Sequence, residues 1–199
     1  MGITAIFGGT FNPIHIGHFE MLGALEKCEK VNKILILPDK IPPHKVCDYM
    51  ASDKDRIEMC KIATEKFSKA ELCLLEFKRE GKSYSFDTVT LLKEKFPDEE
   101  FAFVCGGDML ITLDKWYRAE ELLKMLPFIA FRRSDIDDTL FDKKCEYLRD
   151  LGADIIVFDQ RITSVSSTKI RSDINNAKKY LDNDIYNFVV EKGIYSNVN

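Results

Sequence analysis

Short apolar runs alternate along this chain with longer segments whose apolar residues recur at helical spacing. Strand-like runs occupy residues 3–7, 33–37, 72–77, 101–105, 128–131 and 154–158. Phe19, Leu22 and Leu25 begin the first helical pattern. Ile57, Met59, Ile62, Ala63 and Phe67 carry a second, and Phe86, Val89, Leu92 and Phe96 a third, with Asp87 in its first turn. A fourth covers 119–125 and a fifth runs over about 140–151. Such alternation predicts βαβ units around a parallel sheet. Ile34-Leu35-Ile36-Leu37 is apolar throughout, as a strand covered by helices on both faces requires. Beyond 158 the pattern turns helical, first from about Thr168 and then over 183–192, where Gly193 supplies a stop. No repeat or linker interrupts the chain. The expected architecture is α/β: one Rossmann-like, doubly wound parallel sheet over 1–199, with a small helical C-terminal part over about 160–199.

Composition narrows the function classes. A chain of 199 residues buries roughly 70% of its unfolded surface, enough for a full core. The net charge of −4 and the lack of a basic stripe disfavour nucleic acid as a partner. No apolar run reaches 18 residues, and the N-terminus lacks a signal-peptide pattern, so a cytoplasmic protein with no membrane segment is expected. None of the six cysteines forms a C-x-x-C pair, and Cys60, Cys73 and Cys105 read as buried thiols. The sequence is compatible with a homo-oligomer.

All three histidines, His15, His18 and His44, fall in the first quarter of the chain. The first strand runs straight into Gly8-Gly9-Thr10-Phe11-Asn12-Pro13-Ile14-His15-Ile16-Gly17-His18, and a helix follows. Doubly wound folds bind nucleotides at this position. Gly8 and Gly9 let backbone N–H groups approach a phosphate. The spacing is neither G-x-G-x-x-G nor a P-loop. His15 and His18 can face one side of the first helical turn and donate to phosphoryl oxygens. The competing reading is a metal pair, but helical metal pairs favour a spacing of four, and no third ligand lies nearby. No protein-held metal is expected.

His15-Ile16-Gly17-His18 spells the HIGH motif and resembles that of the nucleotidyltransferase superfamily, which includes class I aminoacyl-tRNA synthetases. Ser166-Ser167-Thr168-Lys169-Ile170-Arg171 is similar to its second signature, S-S-T-x-I-R. Serine and threonine are natural N-cap residues, and Arg171 supplies a permanent charge with bidentate geometry. Three further segments resemble those of bacterial nicotinate-nucleotide adenylyltransferases. They are Pro42-Pro43-His44-Lys45, Ser83-Tyr84-Ser85-Phe86-Asp87-Thr88, and Gly106-Gly107-Asp108 leading to Trp116-Tyr117.

The resemblance implies AMP transfer from ATP to nicotinate mononucleotide, with Mg²⁺ riding on ATP. It implies His15, His18 and Arg171 as catalytic. Gly8, Gly9, Thr10, Phe11, Gly106, Asp108, Ser166, Ser167 and Thr168 join them around ATP. His44, Lys45, Tyr84, Ser85, Trp116, Tyr117 and Arg133 would surround the mononucleotide, Arg133 in competition with Arg132. Trp116, the single tryptophan, would otherwise read as a core residue. Asn12 stands where the family more often has Asp, a swap from which little effect is expected. Asp39 replaces the usual Asn and brings a negative charge toward the ligand. Phosphopantetheine adenylyltransferase shares both end signatures but not the Pro-Pro-His-Lys and Trp116 segments. A synthetase lacks room for tRNA-binding domains in this length. A non-catalytic nucleotide sensor would carry damaged phosphate motifs, and both are intact.

Overall fold

The computed structural model describes residues 2–43 and 49–196. Its strands are β1 (Ile3–Gly9), β2 (Val31–Pro38), β3 (Ala70–Leu72), β4 (Phe101–Gly106), β5 (Phe128–Arg133) and β6 (Ile155–Ile162). They form one sheet in the order β3-β2-β1-β4-β5-β6, with every neighbouring pair parallel. This is the doubly wound Rossmann-like order, which reverses direction between β1 and β4.

The strands alternate sides. Ala5 and Phe7 join one apolar layer with Met21, Leu22 and Leu25 of α1 (Ile16–Lys27), Met59 and Ala63 of α2 (Asp53–Thr64), and Ile185 and Val189 of α8 (Asn183–Glu191). Ile6, Leu35 and Leu37 join the other with α3 (Ser85–Lys95), α5 (Ala119–Met125) and α6 (Asp138–Asp150). Two covered faces account for the continuous apolar run in β2. Cys60 and Cys105 lie inside these layers, and burial pushes both thiols up from the ordinary cysteine range. They are packing residues, as expected.

β6 continues as strand past the expected end at 158, to Ile162, and two other elements depart from the sequence pattern. The run 72–77 is not one strand. Leu72 makes the last pairing with Ile36, Cys73 gives one more N–H to the Ile36 carbonyl, and Leu75–Lys78 then turns as a 3-10 helix. An apolar run of this length does not distinguish strand from helix. The turn buries Glu76, where Thr88 Oγ1 donates to it at 2.5 Å and Arg79 at 3.2 Å. The second departure is α4 (Gly107–Thr112), which starts directly after β4 where no helix was expected.

The C-terminal part is helical, with α7 (Ser167–Ser172) and α8. Gly193 stops α8 at φ +63: its N–H donates to the Val190 carbonyl, and Ile194 N–H donates to that of Val189. This is a Schellman closure, and it turns Ile194 and Tyr195 back into the core.

Among the described residues, no helix is long and apolar enough to cross a membrane.

Candidate active site

The carboxyl ends of β1 and β4 diverge at the point where the strand order reverses, and a cavity of about 710 Å³ opens there. Every described residue singled out from the sequence lines it. Gly8, Gly9, Thr10, Phe11, His15 and His18 come from the first βα turn. Gly106 and Asp108 come from the β4–α4 junction, and Ser166, Ser167, Thr168 and Arg171 from α7 and its cap. Tyr84 and Ser85 stand at the start of α3, Trp116 and Tyr117 follow α4, and Arg133 ends β5. His44 and Lys45 lie outside the described residues, while Pro42 and Pro43 before them line the cavity.

The two histidines are arranged by the backbone. His15 caps α1 and is buried. Its N–H donates to Nδ1 of His18 at 3.1 Å. A ring nitrogen that accepts carries no proton, so the neutral His18 ring has its proton on Nε2. The rings stack at 3.7 Å between centroids. The edges of Phe7 and Phe11 meet the His18 ring at near right angles, 6.0 and 5.2 Å away. His18 is thus fixed in tautomer and plane. Phe11 reaches this place with φ +48, a left-handed conformation that bulky residues rarely adopt.

Gly17, between the histidines, is required by close approach. A Cβ there would lie 3.1 Å from the Thr163 carbonyl and 3.3 Å from Ile162. Gly23, in the same helix, has only Phe67 at 3.9 Å. Gly17→Ala is therefore expected to lower stability by about 1–3 kcal/mol through overpacking. Gly23→Ala should raise it by about 0.4–1 kcal/mol through a less flexible unfolded chain. Urea midpoints of the two variants check the opposite signs.

α7 is stitched to the first turn. Ser166 Oγ accepts from Lys169 N–H as an N-cap. Ser167 Oγ donates to the Pro13 carbonyl at 2.9 Å, and Arg171 donates to the Asn12 carbonyl at 2.8 Å and to Thr168 Oγ1 at 3.3 Å. These partners of Arg171 are neutral oxygens, so they orient its charge without cancelling it. The carboxylates around the cavity, by contrast, have cationic partners. Asp39 lies 3.6 Å from Arg56, Glu76 pairs with Arg79, and Asp108 lies 3.3 Å from Arg133. Burial works against the Arg133 charge, yet Asp108 and Asp135 beside it outweigh this and hold its pKa above the ordinary arginine value.

The far wall is aromatic. Trp116 is half-buried and meets the Phe103 ring edge-on at 5.9 Å, so it is a wall residue rather than a core one. The rings of Tyr84 and Tyr117 lie 4.5 Å apart.

A model of the cytidylyltransferase-like family matches residues 6–173. The nicotinate-nucleotide adenylyltransferase of Bacillus subtilis is 38% identical over 193 residues, covering 96% of each chain. The chain belongs to the nicotinate-nucleotide adenylyltransferases. Its fold also matches the Plasmodium falciparum nicotinic acid mononucleotide adenylyltransferase, solved in complexes with APC and with NaAD. The TM-score is 0.79 in both cases, with all of each chain covered, at 22% and 21% identity.

Against this family's pattern, the structure resolves three points that the sequence left open. Arg132 and Arg133 follow a register shift in the β5–β6 ladder and point different ways. Arg132 turns to Asp138 and Asp142 over the Phe141 ring, while Arg133 enters the cavity. A bulge beside a site re-aims side chains in this manner. The Asp39 charge is compensated: Thr10 Oγ1 donates to it at 3.0 Å, and Arg56 stands beside it. Asn12, where little effect was expected from the exchange with the family's aspartate, uses both ends of its amide. Asn12 Nδ2 donates to the Tyr49 carbonyl at 3.0 Å while Oδ1 accepts from Ala51 N–H at 3.0 Å, and a carboxylate cannot make the first of these bonds.

Sequence reasoning missed Arg56, the most completely enclosed polar side chain among the described residues. It donates to the carbonyls of Thr10 at 2.9 Å and Asp39 at 2.7 Å, and pairs with Asp53 at 2.6 Å. It thereby ties the turn after β1 to the turn after β2. An arginine among apolar α2 positions was its only signal. Thr88 and Asp87 of the Ser83–Thr88 segment also prove to be supports, holding Glu76 and Arg79.

Proposed function

We propose that this cavity transfers AMP from ATP to nicotinate mononucleotide, giving deamido-NAD and pyrophosphate, with the division of labour that follows. The 5′-phosphate of the mononucleotide attacks the α-phosphorus of ATP in line. A bond forms from the phosphate oxygen to that phosphorus, and the bond to the bridging oxygen breaks, its electron pair leaving with pyrophosphate. The nucleophile is already an anion at neutral pH, so no general base is needed. The protein's task is to align two polyanions and neutralise their charge.

His18 Nε2 and His15 serve the triphosphate and the charge that builds on its oxygens, with Arg171, Thr10, Ser166, Ser167, Thr168 and the Gly8-Gly9-Phe11 backbone beside them. Gly106 and Asp108 serve the adenosine. Trp116 and Tyr117 face the pyridine ring, Tyr84 and Ser85 its carboxylate, and Arg133, His44 and Lys45 the mononucleotide phosphate.

Adenylyl transfer from ATP uses a divalent metal, and we assign Mg²⁺. Among the described residues no three His, Cys, Asp or Glu side chains gather as a cage. The cavity's carboxylates are engaged by arginines, and the ion arrives as part of the substrate, MgATP. Work on small nucleotides, with nucleic acid not a partner, fits the −4 charge and a cytoplasmic location.

The observation that carries this reading is the junction of two distant motifs. Arg171 and Ser167 bind the carbonyls of Asn12 and Pro13 at one end of a cavity whose other end is aromatic. The test is pyrophosphate release from ATP with nicotinate or nicotinamide mononucleotide. Release is expected to be faster with the acid, to stop with EDTA and to return with Mg²⁺. No release with either acceptor would overturn the reading; equal rates would overturn the preference for the acid.

A further inference from the structure

Asn12 is the meeting point of four chain segments, and the hydroxyl that completes it comes from the far end of the chain. Tyr195 OH donates to Asn12 Oδ1 at 2.8 Å, the same oxygen that accepts Ala51 N–H. The Ala51 group can only donate, which settles which end of the amide is oxygen. Asn12 Nδ2 holds the Tyr49 carbonyl, and the Asn12 carbonyl holds Arg171. All these bonds converge on one residue in a buried place, Asn12 and Tyr195 being 2% and 1% exposed. Burial also keeps the phenol well above its ordinary pKa, so the hydroxyl remains a donor.

Tyr195 takes φ +68 to reach this place, and Phe11, next to Asn12, takes φ +48. Two bulky residues thus hold left-handed conformations on either side of one hydrogen bond. Such outliers persist where the surroundings over-determine them. Gly193 is what brings the chain round after α8, so that Tyr195 lies beneath the turn. The Tyr195 ring also packs edge-on to Tyr49, 5.7 Å away.

We propose that Tyr195 is a positioning residue for the nucleotide site: through Asn12, its hydroxyl sets the peptide whose carbonyl aims Arg171 into the cavity. Ala51 and Tyr49 share the same hub, so the hydroxyl also fixes where the chain enters α2. The proposal rests on the reading that the cavity takes ATP.

Tyr195→Phe keeps the ring and its packing and removes one oxygen. The expected result is a melting temperature lowered by only a few degrees, the stability cost of one buried hydrogen bond, with ATP affinity and kcat/KM for ATP each reduced about tenfold. ATP affinity is measured directly by isothermal titration calorimetry. A double-mutant cycle with Asn12→Ala, read in ATP affinity so that turnover of that variant is not required, should be non-additive, because Tyr195 acts through Asn12. Additive losses would overturn the proposal. So would a lowered melting temperature with unchanged ATP affinity, which marks a purely structural anchor. Wild-type protein that fails to bind ATP would overturn the reading of the cavity. Wild-type protein that binds ATP while Tyr195→Phe matches it would overturn only the role of Tyr195.

Discussion

His18→Ala is expected to lower kcat by about 10²–10³-fold, the cost of removing one preorganised donor from developing phosphoryl charge. The expectation follows from geometry. Its Nδ1 accepts from His15 N–H, its plane is set by Phe7 and Phe11, and it lines the cavity. ATP affinity should change far less than kcat, because a donor fixed for the transition state contributes little to ground-state binding. The melting temperature should fall little, because His18 is only half-buried. Steady-state rates with saturating nucleotides, set beside calorimetric titration with ATP, separate the two effects. Turnover within about threefold of the wild type, less than 1 kcal/mol in barrier, would remove His18 from the chemistry.

Arg56→Met should destabilise the fold by about 3–5 kcal/mol, more than either glycine substitution in α1 changes it. The methionine fills much the same volume but leaves the Asp39 carboxylate beside an apolar group and two inward carbonyls, those of Thr10 and Asp39, without their donor. Asp53 is half-exposed and can return to water, so it adds little. Adding Asp39→Asn removes the stranded charge and should recover part of the loss, the two positions being coupled. Urea unfolding with an unchanged slope measures both effects. A loss for Arg56→Met of about 1 kcal/mol or less would mean that the buried arginine does not hold the two turns together.

How much of this could be read from residues alone differs from element to element. β1, β2, β4 and β5 follow from local apolar runs whose two faces are both covered, and α5 from its own period, because these signals reside in neighbouring residues. The 72–77 run misled because a short apolar run satisfies either a strand or a turn. Only the end of pairing at Ile36 and the burial of Glu76 decide between them. α4 was missed because it is six residues long and opens on a glycine, too short for a helical period to show. Asp39 was read as a negative charge brought toward the ligand, and its compensation was not legible because Arg56 lies on another element.

By itself, the sequence determined the alternating α/β order, the glycine-rich turn at the end of the first strand, and two motif segments near opposite ends of the chain. Each is written in adjacent residues, where strand and helix periods and cap chemistry act. Tertiary structure alone decided the rest: that Arg171 and Ser167 meet the Asn12-Pro13 carbonyls, that Arg133 rather than Arg132 enters the cavity, and that Arg56 and Tyr195 brace the turn from beneath. These contacts depend on strand order, register and the direction in which helices pack. They join residues up to 183 positions apart, and no local pattern carries that information.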